Sequence, residues 1–146
     1  MAHDRTTGPP DLRQRVAVYG ICEDADGRVL LVRAAAFLTV AGEWFLPGGG
    51  IDHGEDPVTA LRREFVEETG LDVEVGGLRG ALSDVFTVPD GTSLHTIRLV
   101  YGIDGYTGTL RDEVGGSSDV ARWTPVEVAW ELPLRPYVRQ ALATLR

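Results

Sequence analysis

The 146-residue sequence predicts a single α/β (α+β) domain in which helices pack against a mixed β-sheet. The order of the predicted elements is strands, one long helix, more strands and two short helices, as expected for a sheet covered by helices. A hydrophobic content of 43% over this length is enough for one substantial core. We expect residues 1–13 to form a polar tail and residues 14–146 to form the domain.

Composition excludes several classes of protein. The formal net charge of −8 argues against a nucleic-acid partner, which needs a basic surface. No apolar run reaches the roughly 18 residues of a membrane span, and the N-terminus lacks the apolar segment of a secretory signal. The single cysteine, Cys22, cannot form an internal disulfide, which favours a reducing cytoplasm. The sequence contains no lysine, so cationic contacts with phosphate must come from arginine or a metal ion.

The first elements are predicted to be strands. Two β-rich runs, residues 16–22 and 29–33, flank the turn residues DADG and predict a hairpin. A short strand is expected over residues 44–46. Pro47 and the following glycines should end it.

The central segment predicts a helix over Pro57–Thr69. Asp56 can cap its N-terminus, Pro57 suits its first turn, and Gly70 suits its end. Three apolar residues recur at helical spacing and predict the buried face, namely Val58, Leu61 and Phe65.

The remainder of the chain predicts more sheet and then helix. Residues 71–106 indicate two or three strands, and residues 109–119 an acidic loop. A short strand over residues 120–125 precedes two short helices, which start near residues 126 and 135.

The central helix carries an acidic cluster. Glu64, Glu67 and Glu68 lie at positions i, i+3 and i+4 and therefore share one face, beside the apolar face. Glu55 adds a fourth acid just before the helix. Carboxylates are hard oxygen ligands that suit Mg²⁺ or Mn²⁺. Taken alone, however, a helix with several glutamates and arginines is usually a solvated surface.

Three glycines precede this helix. At residues 48–50, a backbone without Cβ atoms can approach a ligand and turn a carbonyl oxygen toward a metal ion. A loop carbonyl and the helix carboxylates can then hold one ion between them. Arg63 lies one turn before Glu67, where it lowers the repulsion among the acids.

The joint spacing of these residues is more specific than any of them alone. Residues 49–71 follow the pattern G-x5-E-x7-R-E-U-x-E-E-x-G-U, with U a bulky apolar residue, and this resembles the Nudix box of the Nudix hydrolases. Phe65 replaces the more usual aliphatic residue. The matching positions are Gly49, Glu55, Arg63, Glu64, Phe65, Glu67, Glu68, Gly70 and Leu71.

The resemblance implies a Nudix-type α/β/α sandwich and a divalent-metal-dependent pyrophosphohydrolase with Mg²⁺ or Mn²⁺. By position in the box, Glu67 and Glu68 match metal ligands, and Glu64 matches a metal ligand or general base. The carbonyl of Gly48 matches a backbone ligand. Arg63, like Glu55, matches a residue that orients the others.

A further metal-binding acid in this family often comes from a loop outside the box. We expect Glu113 to supply it, with Asp112 and Asp119 as alternatives. Trp44 can stack on a nucleobase or belong to the core. Arg33 and Arg98 can contact phosphate or pair with acids.

The expected partner is a small nucleotide in which a nucleoside diphosphate is linked to another group. ADP-ribose or a nucleotide sugar is favoured, and a nucleoside triphosphate is the alternative substrate. The alternative function is a nucleotide-binding or regulatory module of the same fold without turnover. Because many relatives are dimers, a homodimer is compatible with the resemblance.

Overall fold

The computed structural model describes residues 11–36, 38 and 40–144. Ten elements follow one another along the chain: β1 (Leu12–Ile21), β2 (Val29–Ala34), β3 (Trp44–Phe45), β4 (Gly48–Gly50), α1 (Pro57–Thr69), β5 (Asp72–Thr87), β6 (Ser93–Thr107), β7 (Ser118–Thr124), α2 (Val126–Ala129) and α3 (Pro136–Ala143). Residues 1–10 of the expected tail lie outside the described residues, and β1 begins at Leu12.

The strands form two sheets. The large sheet has the order β4-β1-β6-β5, with β1 parallel to β6 and the other pairs antiparallel. This confirms the expected mixed sheet. The small sheet, with the order β3-β2-β7, is antiparallel and was not predicted.

The first two strands were predicted to pair as a hairpin, and they do so only next to the turn. Next to the turn, Leu30 N–H donates to the Cys22 carbonyl at 2.9 Å, and Glu23 bridges Val29. From there the strands separate into different sheets, because β4 and β6 occupy the two edges of β1.

The strand predicted over residues 44–46 is present as β3 and ends before Pro47, but the glycines that follow form a further strand, β4. Gly48 lies opposite Tyr19 of β1. A Cβ on Gly48 would collide with the Val18 carbonyl oxygen and with Tyr19, and its φ of 148° disfavours other residues. Only a glycine therefore lets the two backbones lie this close.

The predicted bounds of α1 are confirmed. The Asp56 carboxylate accepts from the backbone N–H groups of Val58 and Thr59, and Gly70 ends the helix with a φ of 77°. Val58 is 36% exposed, so the buried face differs from the predicted one. Its members are Ala60, Leu61, Phe65, Glu68 and Thr69.

Helices cover both faces of the large sheet. Leu61 and Phe65 of α1 pack with Val18 on one face, and Val138 and Leu142 of α3 pack on the other. The sandwich implied by the resemblance is therefore present. Among the described residues, no helix is long and apolar enough to span a membrane.

Candidate active site

The three glutamates of α1 are buried to very different degrees. Glu68 is 4% exposed, whereas the side chains of Glu64 and Glu67 are 13% and 48% exposed. Glu68 follows Phe65 by three residues and therefore shares its buried side of the helix. The acidic face thus runs from the solvent into the core edge, and it is not an ordinary solvated surface.

The buried acid is joined to the glycine strand. The backbone N–H of Gly48 donates to Oε1 of Glu68 at 2.7 Å. Glu64 lies against the next glycine, since a Cβ on Gly49 would stand 2.8 Å from its Oε1. The backbone of β4 therefore contacts the carboxylates of α1 directly. Side chains on β4 would occupy the space that these carboxylates fill.

Arg63 organises the other acids. Its Nε and Nη2 donate to both carboxylate oxygens of Glu55, at 2.8 and 2.9 Å. Its Nη1 donates to Glu64 at 3.2 Å and to Glu67 at 3.3 Å. One guanidinium thus fixes three carboxylates, as the resemblance implies for this position.

Burial and hydrogen bonding shift the pKa values of these acids in opposite directions. Desolvation raises the pKa of Glu64 to about 7, and it raises the pKa of Glu68 well above its ordinary value. The hydrogen bonds from Arg63 instead lower the pKa of Glu55 to about 2. A cation between Glu64 and Glu68 would remove the penalty of their ionisation.

The strand pairing places the backbone groups of Gly48 on the side of β4 that faces away from β1. Hydrogen bonds join Gly20 to Pro47 and Ile51 to Val16, so β1 bonds to alternate residues of the glycine segment. Gly48 lies between these bonding positions, and its N–H and C=O therefore point away from β1. Its N–H reaches Glu68, and its carbonyl oxygen lies on that side of the strand.

The donor set fits a divalent cation. In the described part of the chain, no three histidine, cysteine or acidic side chains already converge as a metal-binding cluster. Glu64, Glu67 and Glu68 nevertheless offer oxygen ligands beside the Gly48 carbonyl, and two of them are carboxylates that desolvation holds toward the neutral form. Oxygen ligands of this kind suit Mg²⁺ or Mn²⁺.

Glu113 of the acidic loop lies near enough to Glu64 and Glu68 for its charge to act on both. Its charge raises the pKa of both Glu64 and Glu68, and its Oε1 accepts hydrogen bonds from Ser118 N and Oγ at 3.0 and 2.8 Å. Asp119 instead pairs with Arg33 at 2.8 Å, and Asp112 accepts from the backbone of β7. Glu113 remains our candidate for the acid outside the helix.

Ion pairs and burial decide the alternatives that the sequence left open for two arginines and for Trp44. Arg33 pairs with Asp119 and Arg98 pairs with Asp84 at 3.0 Å, so both arginines pair with acids. Trp44 is 4% exposed and belongs to the core. Cys22 is buried in the core cluster under α1, and burial raises the pKa of its thiol to about 12.

A cleft of about 300 Å³, which we call the site cleft, opens beside the acids between the two sheets. One wall carries Arg15 and Tyr19 of β1, and the other wall carries residues of the small sheet. Glu64, Glu68 and the three glycines complete it. Sequence reasoning missed Arg15, because its place in the cleft depends on the pairing of β1 with β4.

The chain resembles known proteins over most of its length. The family model for the NUDIX domain matches residues 13–145. A MutT-like protein of Streptomyces ambofaciens is 35% identical over 124 residues, which cover 84% of this chain and 71% of the relative. A nucleoside triphosphatase NudI of Enterobacter sp. is 37% identical over 106 residues, which cover 69% of this chain and 74% of the relative.

A third relative is matched over a shorter part. The ADP-ribose pyrophosphatase of Methanocaldococcus jannaschii is 37% identical over 100 residues, which cover 68% of this chain and 56% of the relative. The crystal structure of a MutT NUDIX hydrolase from Burkholderia pseudomallei superimposes with a TM-score of 0.78 at 27% identity, covering 92% of this chain and 99% of that one. With a family match over nearly all of its residues and the same fold, the chain belongs to the NUDIX family of pyrophosphate hydrolases.

Proposed function

We propose that the chain is a divalent-metal-dependent pyrophosphohydrolase that cleaves a nucleoside diphosphate linked to another group. The observation that carries this proposal is the pairing of two desolvated carboxylates, Glu64 and Glu68, with the glycine strand. Burial of two like charges side by side is unfavourable unless a cation joins them. The half-exposed Glu67 on the same helix face extends the ligand set toward the solvent.

Each residue of the site has a distinct role in this proposal. Glu67, Glu68 and the Gly48 carbonyl hold the metal, with Glu113 as the ligand outside the helix. A metal held there would neutralise charge at the phosphates and favour ionisation of the attacking water. Glu64 lies against the same glycine strand, where it would either bind the metal or accept the proton of the attacking water, the two roles that its place in the box implies.

Two substrate classes have support. The relative named an ADP-ribose pyrophosphatase supports ADP-ribose or a nucleotide sugar, as the sequence expectation has it. The relative named a nucleoside triphosphatase supports a nucleoside triphosphate. The volume of about 300 Å³ is at the lower end of ligand pockets, which favours a compact mononucleotide over a dinucleotide.

The test is hydrolysis of a panel of nucleoside triphosphates, ADP-ribose, nucleotide sugars and dinucleotides with Mg²⁺ or Mn²⁺, with a chelator as the blank. We expect metal-dependent release of a nucleoside monophosphate from one class. If the folded protein binds nucleotides, by calorimetry, but cleaves none of them, the alternative of a binding module without turnover replaces this proposal.

A further inference from the structure

Arg15 is the one basic side chain among the described residues that line the site cleft. It lies on β1 and is partly buried. A Cβ on Gly50 would stand 3.2 Å from its Nη2, so the guanidinium lies against the glycine strand in the space of the missing side chain. The strand β4 therefore positions Arg15 through Gly50 and contacts Glu68 through Gly48.

The other arginines near the cleft are already engaged. Arg33 pairs with Asp119, Arg98 with Asp84, and Arg63 with Glu55. Within residues 11–36, 38 and 40–144, Arg15 makes no ion pair with a carboxylate. A half-buried guanidinium without a carboxylate partner is available for an anionic ligand.

The opposite part of the cleft suits an apolar ring. Leu38, Val40 and Phe45 line it, and they offer aliphatic and aromatic surface to a nucleobase. The acids and glycines occupy the remaining side, where the metal would hold the pyrophosphate that is cleaved. Arg15 lies next to the glycines and the acids but is a separate positive charge. This position suits a phosphate in addition to the two of the cleaved pyrophosphate.

We propose that Arg15 contacts a substrate phosphate in this cleft and sets a preference for substrates in which the group linked to the nucleoside diphosphate is itself a phosphate. This inference rests on the proposed function and selects a nucleoside triphosphate within it. The planar fork of arginine matches phosphate oxygens in a bidentate manner. A neutral sugar at the same place would leave the guanidinium desolvated and unpaired, which is unfavourable.

The test compares Arg15→Gln with Arg13→Gln. Arg13 precedes Arg15 by two residues on the same side of β1, is exposed and does not line the cleft, so its substitution makes the same change of charge. For a nucleoside triphosphate, we expect Arg15→Gln to raise KM about 10–100-fold with little change in kcat, since one charged phosphate contact is lost. Arg13→Gln should leave KM unchanged, and Arg15→Lys should restore part of the loss.

Substrate comparison and direct binding complete the test. For ADP-ribose, KM of the Arg15→Gln variant should change less than about threefold, because its terminal ribose offers no charge to the guanidinium. Calorimetric binding of a non-hydrolysable methylene analogue of the triphosphate should weaken in the Arg15→Gln variant alone. Thermal unfolding of all variants establishes that they fold.

The outcomes separate the inference from the proposed function. If the wild type cleaves nucleotides but Arg15→Gln and Arg13→Gln have the same KM, the role of Arg15 is overturned and the hydrolase proposal stands. An equal loss for ADP-ribose and the triphosphate would overturn the preference. If the wild type cleaves nothing, the proposed function fails, and the calorimetric comparison still decides whether Arg15 binds phosphate.

Discussion

The Gly48 N–H and the Glu68 carboxylate, 2.7 Å apart, join the glycine strand to the acidic helix. This contact fixes a buried acid beside the backbone of the glycine strand. The buried part of the site is therefore held by a strand and a helix.

Raising the pH should destabilise the metal-free protein. Because burial raises the pKa values of Glu64 and Glu68, the folded state binds their protons more tightly than the unfolded chain does. The stabilising contribution of each acid is therefore complete below the ordinary glutamate pKa and is lost as the pH rises through its raised pKa, which is about 7 for Glu64. For Glu64 alone, we expect a loss of about 3 kcal/mol in the free energy of unfolding, measured by urea titration.

Two comparisons control this pH experiment. Saturating Mg²⁺ should restore the stability at pH 8, since a cation compensates the ionised carboxylates. Glu64→Gln, which cannot ionise, should flatten the pH dependence. An equally steep loss of stability in Glu64→Gln would mean that other groups cause it.

Gly70→Ala should destabilise the fold more than Gly27→Ala does. The two glycines have nearly the same φ, 77° and 76°, so alanine meets the same backbone penalty of about 1 kcal/mol at both. A Cβ at Gly70 would also stand 2.6 Å from Cγ of Arg111, whereas nothing lies within 4 Å of one at Gly27. We expect about 1 kcal/mol for Gly27→Ala and about 2–4 kcal/mol for Gly70→Ala in urea denaturation. Equal losses would exclude the steric contribution.

Arg63→Lys should impair the site although it keeps the charge. A lysine cannot make the two parallel hydrogen bonds that Arg63 donates to Glu55 while it also contacts Glu64. We expect kcat to fall about 10–100-fold, as for residues that orient metal ligands. The matched control is Arg62→Lys, because the neighbouring Arg62 makes one exposed contact with Asp72 at 3.4 Å. A similar loss in both variants would indicate a general effect on the helix.

Local signals in the sequence predicted α1 to the residue. Asp56 and Gly70 act within one turn of the helix, so their effect does not depend on distant parts of the chain. The strand β4 could not be predicted in this way, because Gly48 becomes a strand residue only through pairing with Tyr19. The division into two sheets and the place of Arg15 in the site cleft also depend on pairing between strands that are distant in the sequence.

The sequence predicted which acids form the cluster. It did not predict how differently the three are buried. Spacing placed Glu64, Glu67 and Glu68 on one face, and the structure confirms that they share it. How deeply Glu68 is buried depends on the packing of α1 against the large sheet. The preference for a protonated buried acid could therefore be found only from the folded chain.

The central claim is that the acids of α1 bind the metal on which hydrolysis depends, and Glu67→Gln tests it most directly. Glu67 is half exposed, so glutamine should leave the thermal unfolding midpoint unchanged. Mn²⁺ binding, followed by electron paramagnetic resonance, and metal-dependent nucleotide hydrolysis would be measured together, with the exposed Glu127→Gln on α2 as the control. We predict that Glu67→Gln weakens Mn²⁺ binding and lowers kcat about 100-fold or more, while Glu127→Gln changes neither. Wild-type metal affinity and turnover in Glu67→Gln would contradict the account.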